Sequence, residues 1–240
     1  MAEKQVKAET TVEVDVVERA KGFWAAYSKR IIIAGSVVIV LSLAYFGYKY
    51  LIKLPNERTA NDLIFPAEKL FGKMASESSY NKDTVNMVLN GDKAAGVTGL
   101  LKVAGSYGGT KSGNRAEYMI GACYLQLKQF DKAITHLKDF DGNGANQVQS
   151  KAYLLIGHAY AEQKKTDEAL DYYKKASAIS DLDEGMSSEA LFIAGRYADA
   201  VGKSKDAIEL FQKLKDKYPA SPRVSSGDVD KYLAALGVTK

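Results

Sequence analysis

Residues 153–176 read YLLIGHAYAEQKKTDEALDYYKKA and hold His158, one of two histidines in a chain of 240 residues. Read alone, a histidine beside tyrosine, acids and lysines suggests a reactive centre. Two further segments carry the same pattern: EYMIGACYLQLKQFDKAITHLKDF at 117–140 and LFIAGRYADAVGKSKDAIELFQKL at 191–214. Each has a glycine, an alanine twelve residues on, and a large residue four beyond that. The glycines are Gly121, Gly157 and Gly195, the alanines Ala133, Ala169 and Ala207, and the large residues Leu137, Tyr173 and Phe211. Successive glycines lie 36 and 38 residues apart, an internal repeat that takes precedence over any single residue.

The spacing has a physical reading. Two antiparallel helices approach closely only where small residues sit at the crossing, and a large side chain one turn further fills the space beside them. Each segment therefore predicts a helical hairpin, with Tyr124 and Tyr160 adding to the packing. The polar stretches QFDK, KTDE and KSKD predict the turns and place Asp131, Asp167 and Asp206 near helix starts, where the backbone dipole favours an acid.

This pattern resembles the tetratricopeptide repeat (TPR) family: the pairs Ile120-Gly121 and Ile156-Gly157, the tyrosines, the alanines, and Pro219 after the third hairpin. Ala194 and Ala198 depart from the usual Leu and Tyr, and the spacing exceeds the family's ~34 residues, which predicts longer loops between repeats. The resemblance implies three repeats over 114–224, a juncture and degenerate helical pair at 53–113, and a capping helix at 225–240, as such arrays require. It also implies a peptide groove lined by Arg115, Tyr118 and Ala122 in the first repeat. In the second repeat Lys151, Leu154 and His158 line it, and in the third Glu189, Phe192 and Arg196. The basic and asparagine set with which some TPR domains clamp a terminal carboxylate is absent, its places being held by Tyr118 and Ala122 and by Leu154 and His158. A mixed aromatic and basic groove suits extended or helical segments.

Upstream, RIIIAGSVVIVLSLAYFGYKYLIK contains 22 residues from Ile31 to Ile52 with Lys49 as the single charge. A helix of that length spans ~33 Å, a bilayer core. Tyr45, Tyr48 and Tyr50 crowd one end and Trp24 and Tyr27 precede the other, as interfacial aromatics do; Lys49 can reach the nearer interface. A cleaved signal peptide fits poorly, since the preceding arm is long and no A-x-A-like site follows. No small-xxx-small pair surrounds Gly35 or Gly47, so the span carries no self-association signal. Arg19, Lys21, Lys29 and Arg30 outnumber Lys53 and Arg58 across it, which favours a cytoplasmic N-terminus. The predicted organisation is a cytoplasmic arm at 1–30, turning helical near Asp15, a transmembrane anchor at 31–52, and an all-α extracytoplasmic array, periplasmic in a Gram-negative cell.

This layout, with YGGTKSGNRAEY leading into the first repeat, resembles the YfgM-like ancillary subunits of the SecYEG translocon in a Bacteroidetes-type variant. That resemblance implies an inner-membrane protein whose partners are translocon subunits, a periplasmic chaperone or emerging polypeptides, alongside the bilayer itself. A cell-envelope assembly or secretion component is the alternative.

Other chemistry finds little footing. Lys and Arg total 33 against 29 Asp and Glu, a net charge of +4, too even for the concentrated basic face that nucleic acid requires. One cysteine, Cys123, allows no disulfide within the chain. One Cys and two His leave out the familiar zinc spacings. In DFDGNGANQVQS, Asp139, Asp141, Asn143 and Gly144 match the start of an EF-hand loop. Its twelfth position is Ser150 where a bidentate Glu belongs, and Asn146 replaces the apolar eighth; a polar turn is expected instead. GDKAAG and YGGTKSGN lack the phosphate-loop order. No Ser or Cys stands near a histidine as a nucleophilic partner, His136 reads as structural or exposed, and no catalytic residue, cofactor or metal is expected. DLDEG is expected to cap a loop, and Ser225 with Asp228 has capping-box spacing.

Overall fold

The computed structural model describes residues 2–77, 80–179 and 183–238. It divides into two units, residues 1–55 and 56–240, taken in turn. The first is the helix α1 (Ala2–Tyr48) with a π-helical turn at Lys49–Lys53. The arm is thus helical from Ala2, where the alternation in TTVEVDVVERA suggests extended chain: without Gly or Pro before Gly22, local hydrogen bonding prevails. Within this helix lies a stretch long and apolar enough to cross a membrane, none of it buried.

The second unit is all-α apart from one small ribbon. Helix α2 (Leu54–Ser76) runs uninterrupted through Pro66. Next come α3 (Lys82–Asn90) and α4 (Leu100–Tyr107), joined by the two-residue strands β1 (Gly91–Asp92) and β2 (Val97–Thr98) in antiparallel register Gly91–Thr98. The sequence predicts a helix from about Asp92. Gly91 at φ +86° and Gly96 at φ +66° instead turn the chain into the ribbon, a left-handed conformation that suits glycine. Ile64, Ala67 and Met74 of α2 pack with Val85, Val88, Leu100 and Val103 against Ala116, Met119 and Ile120.

Three hairpins follow: α5 (Lys111–Gln126) with α6 (Phe130–Asp139), α7 (Asn146–Glu162) with α8 (Thr166–Ala178), and α9 (Glu184–Ala200) with α10 (Ser204–Lys217). Their crossings are those read from the sequence. A Cβ on Gly121 would fall 2.4 Å from Leu137 Cγ, on Gly157 2.5 Å from Tyr173 Cε1, and on Gly195 2.7 Å from Phe211 Cε1. Ala133, Ala169 and Ala207 are fully buried. Asp131, Asp167 and Asp206 lie in the first turns of α6, α8 and α10.

All three hairpin turns close identically. Gln129, Lys165 and Lys203 donate their amides to the carbonyls of Tyr124, Tyr160 and Ala198, at 2.9, 2.9 and 2.8 Å. This is the Schellman pattern, with Lys128, Lys164 and Gly202 in left-handed backbone at φ +57°, +59° and +77°. Between the first two hairpins, Asn114 bonds the backbone of Asp141 through both its side-chain atoms, at 2.7 and 2.8 Å. Ser150, the would-be twelfth ligand position, is buried in α7 and donates to the Ala176 carbonyl at 2.9 Å.

The chain ends in a short helix, α11 (Pro222–Ser225), and α12 (Asp228–Ala235). Ser225 does not cap α12, as its spacing suggests. It falls in the last turn of α11 and donates to the Ser221 carbonyl, while Gly227 at φ +76° starts α12. In DLDEG it is Asp183 that caps α9, accepting from the Met186 amide at 2.9 Å; Asp181 and the final residues 239–240 of the cap lie outside the described residues.

Candidate functional site

The first helices α5, α7 and α9 lie side by side. Positions three and four apart share a helix face, so the sequence-derived residues form three parallel columns. The structure treats these columns differently at the two ends and in the middle.

At the first end, the Arg115 guanidinium bonds Asn61 and Glu68 of α2, both at 3.3 Å. Tyr118 is half-buried against Phe140, ring centroids 5.4 Å apart. Burial, with a contribution from Tyr80, raises the pKa of its hydroxyl. Ala122 is partly exposed. Two of the three positions are therefore engaged by other parts of the chain.

At the far end the departure is larger. Phe192, expected to face an open groove, is 3% exposed. Tyr232 of α12 meets its ring edge-on at 5.8 Å, Phe211 packs at 6.0 Å, and the Arg223 guanidinium lies over it at 4.5 Å. Arg223 is held there by Glu189, which accepts from Nε and Nη2 at 2.9 Å each. The C-terminal helices thus cover the third column and consume the charge of Glu189. Their seating depends on contacts 31 to 40 residues apart, invisible to helical periodicity. Arg196 remains exposed, its guanidinium 5.9 Å from the Phe192 ring.

The middle column stays open. Lys151 and His158 are exposed and Leu154 is half-buried. His158 Nδ1 is 2.8 Å from Tyr173 Oη, a contact made possible by Gly157, over which the Tyr173 ring lies. Tyr197 meets Tyr173 edge-on at 5.2 Å and completes the support. Partial desolvation of the imidazole, which keeps an exposed face, lowers its pKa from the ordinary histidine value, against the opposing pull of Glu162. Burial also raises the Tyr173 hydroxyl, with Tyr197 and Glu162 adding to it. At neutral pH both partners are therefore uncharged and share one proton bridge. The bond orients the ring and leaves Nε2 as its other polar atom; no nucleophile or carboxylate completes a catalytic relay among the contacts of the described residues.

Two clusters were not read as such from the sequence. His136 Nδ1 is 2.6 Å from Glu117 Oε2 and its ring stacks on Tyr124 at 5.5 Å. In the seam between the first two hairpins, Tyr153 and Tyr160 pack on Tyr172 at 5.9 and 5.6 Å. Lys138 donates to Tyr160 Oη at 2.9 Å across that seam. The signal was present: 117, 124 and 136 are the counterparts of 153, 160 and 172 at the 36-residue offset. Both are packing between and within hairpins. Cys123 is likewise a core residue, fully buried, its thiol pKa pushed up to about 12 by burial.

Among the described residues no group of three or more His, Cys, Asp or Glu side chains is arranged to hold a metal. The tetratricopeptide repeat models match residues 115–141, 150–180 and 189–221. No curated protein matches the chain. Two crystal structures of MamA are similar to it. One is 17% identical over 70% of this chain and 85% of the other, with a TM-score of 0.47; the second is 16% identical over 74% and 85%, with a TM-score of 0.48. Together with the glycine crossings and the common turn geometry, the family match identifies the three hairpins spanning residues 115–221 as tetratricopeptide repeats.

Proposed function

We propose that the chain is a membrane-anchored TPR scaffold. It binds a protein segment along the first helices of the array and acts at the extracytoplasmic face of an inner membrane, beside the Sec translocon and periplasmic chaperones. The observation that carries the binding reading is the middle column. Lys151, Leu154 and His158 stay accessible while the columns on either side are engaged by α2 and by α11–α12. A cation, an apolar side chain and an oriented imidazole on one face offer complementary contacts to an extended or helical segment. The anchor reading rests on the 22 apolar residues from Ile31 to Ile52. Tethering raises the local concentration of the array near a membrane partner without any catalytic step.

The test is capture by the intact chain in mild detergent, run alongside Leu154→Arg. Recovery of translocon subunits or a periplasmic chaperone, lost with Leu154→Arg, is the expected result. Recovery of outer-envelope components alone removes the translocon assignment. Partners that bind the variant equally well remove the middle column as the contact face.

A further inference from the structure

An open cavity of about 480 Å³ lies between the start of α2 and the start of α5, lined by Glu57, Arg58, Asn61, Asp62, Lys111 and Arg115. Its charges are not equally available. The Glu57 carboxylate accepts from the Lys111 amide through both oxygens, at 3.0 and 3.1 Å, and so occupies the positive end of α5. Arg115 is engaged by Glu68 and Asn61. The Arg58 guanidinium and the Lys111 ammonium have no carboxylate partner among the described residues, and Asp62 is the one remaining acid in the lining. Arg58 and Lys111 are therefore the two side-chain cations of this lining available to a ligand, with the helix end already taken by Glu57.

Its place in the chain narrows the class of anion. Arg58 follows Ile52, the last apolar residue of the span, by six positions. The chain is helical from Lys49–Lys53 on into α2, so the six residues to Arg58 rise ~9 Å beyond the end of the span, about one Debye length. Lys111 and Arg115 line the same cavity and share that confinement. Lys and Arg within about a Debye length of a membrane surface gain affinity for anionic lipid, up to about fivefold per cation.

We propose that Arg58 and Lys111 form a binding site for the phosphate headgroup of an anionic membrane lipid. The inference rests on the membrane reading above. The site would steady the base of the array against the bilayer that anchors it.

The test uses the full chain in nanodiscs of phosphatidylcholine, with or without phosphatidylglycerol, and measures acetylation of Lys111 by mass spectrometry against Lys205 on α10. The expected result is about fivefold slower labelling of Lys111 in the anionic discs, largely lost in Arg58→Gln and at high salt. Equal labelling in the two bilayers overturns the proposal while leaving the anchor reading intact. A chain that fails to incorporate into discs at all overturns the anchor reading. Equal protection by inorganic phosphate in phosphatidylcholine discs overturns the lipid assignment in favour of a soluble anion.

Discussion

Gly157→Ala tests whether the repeat glycines exist for helix contact. A methyl at this position would lie 2.5 Å from Tyr173 Cε1, 2.6 Å from Cδ1 and 3.1 Å from Cζ. Ordinary contact begins at 3.4 Å, so the ring must retreat by about 0.9 Å. It has little freedom to do so. Tyr173 is 2% exposed, its hydroxyl is bonded to His158, and Tyr197 presses on its face. Overpacking of this kind costs about 1–3 kcal/mol, and a pinned ring belongs in the upper half of that range. Alanine returns about 1 kcal/mol of helix propensity, leaving a net loss of about 1–2 kcal/mol. Gly72 of α2 supplies the control, since a Cβ there meets nothing within 4 Å; Gly72→Ala should stabilise by about 0.5–1 kcal/mol. The assay is urea unfolding of the full chain in detergent, followed by far-UV circular dichroism. With Tyr173→Ala as background, Gly157→Ala should change sign and become stabilising, because the ring it strikes is gone. Gly157→Ala that stabilises as much as Gly72→Ala, or keeps its sign without the ring, refutes the close-crossing argument.

Two further expectations follow from the turns and from His158. Lys164→Gly removes a Cβ from left-handed backbone and should stabilise by up to ~1 kcal/mol, whereas Gly202→Ala at the equivalent turn should destabilise by ~1 kcal/mol; the same unfolding assay reads both, and equal signs contradict the turn assignment. The folded pKa of His158 lies below its unfolded value of 6.5, so the unfolded chain binds the extra proton first. Its contribution to stability is therefore complete above pH 6.5 and is lost as pH falls from there through the folded pKa. The drop should be smaller in His158→Gln than in the parent chain, and an identical pH profile for the two contradicts the partial desolvation of the imidazole.

Legibility in the sequence followed the range of the interaction. The hairpin crossings depend on residues 12 and 16 positions apart within one hairpin, and three copies expose that spacing. Gly121, Gly157 and Gly195 accordingly meet the predicted partners, and the acids fall in the predicted first turns. Where one local signal competed with another, the reading failed. Asp92 looked like a helix start, but two left-handed glycines bend the chain into a ribbon. Ser225 looked like a cap, but Pro222 starts a helix before it can serve as one.

The three columns divide along the same line. Helical periodicity alone determines that Arg115, Lys151 and Glu189 occupy equivalent positions, as do Tyr118, Leu154 and Phe192, because a helix repeats every 3.6 residues whatever surrounds it. Which of them remains available to a partner depends on side chains distant in sequence. Glu68 engages Arg115 from 47 residues away, and Arg223 holds Glu189 from 34. Tyr232 closes over Phe192. Burial and pairing are properties of what packs against a face, and only the assembled structure supplies that neighbour. The sequence by itself determined the repeat and the face it presents; the tertiary structure decided that the face is open at Lys151, Leu154 and His158.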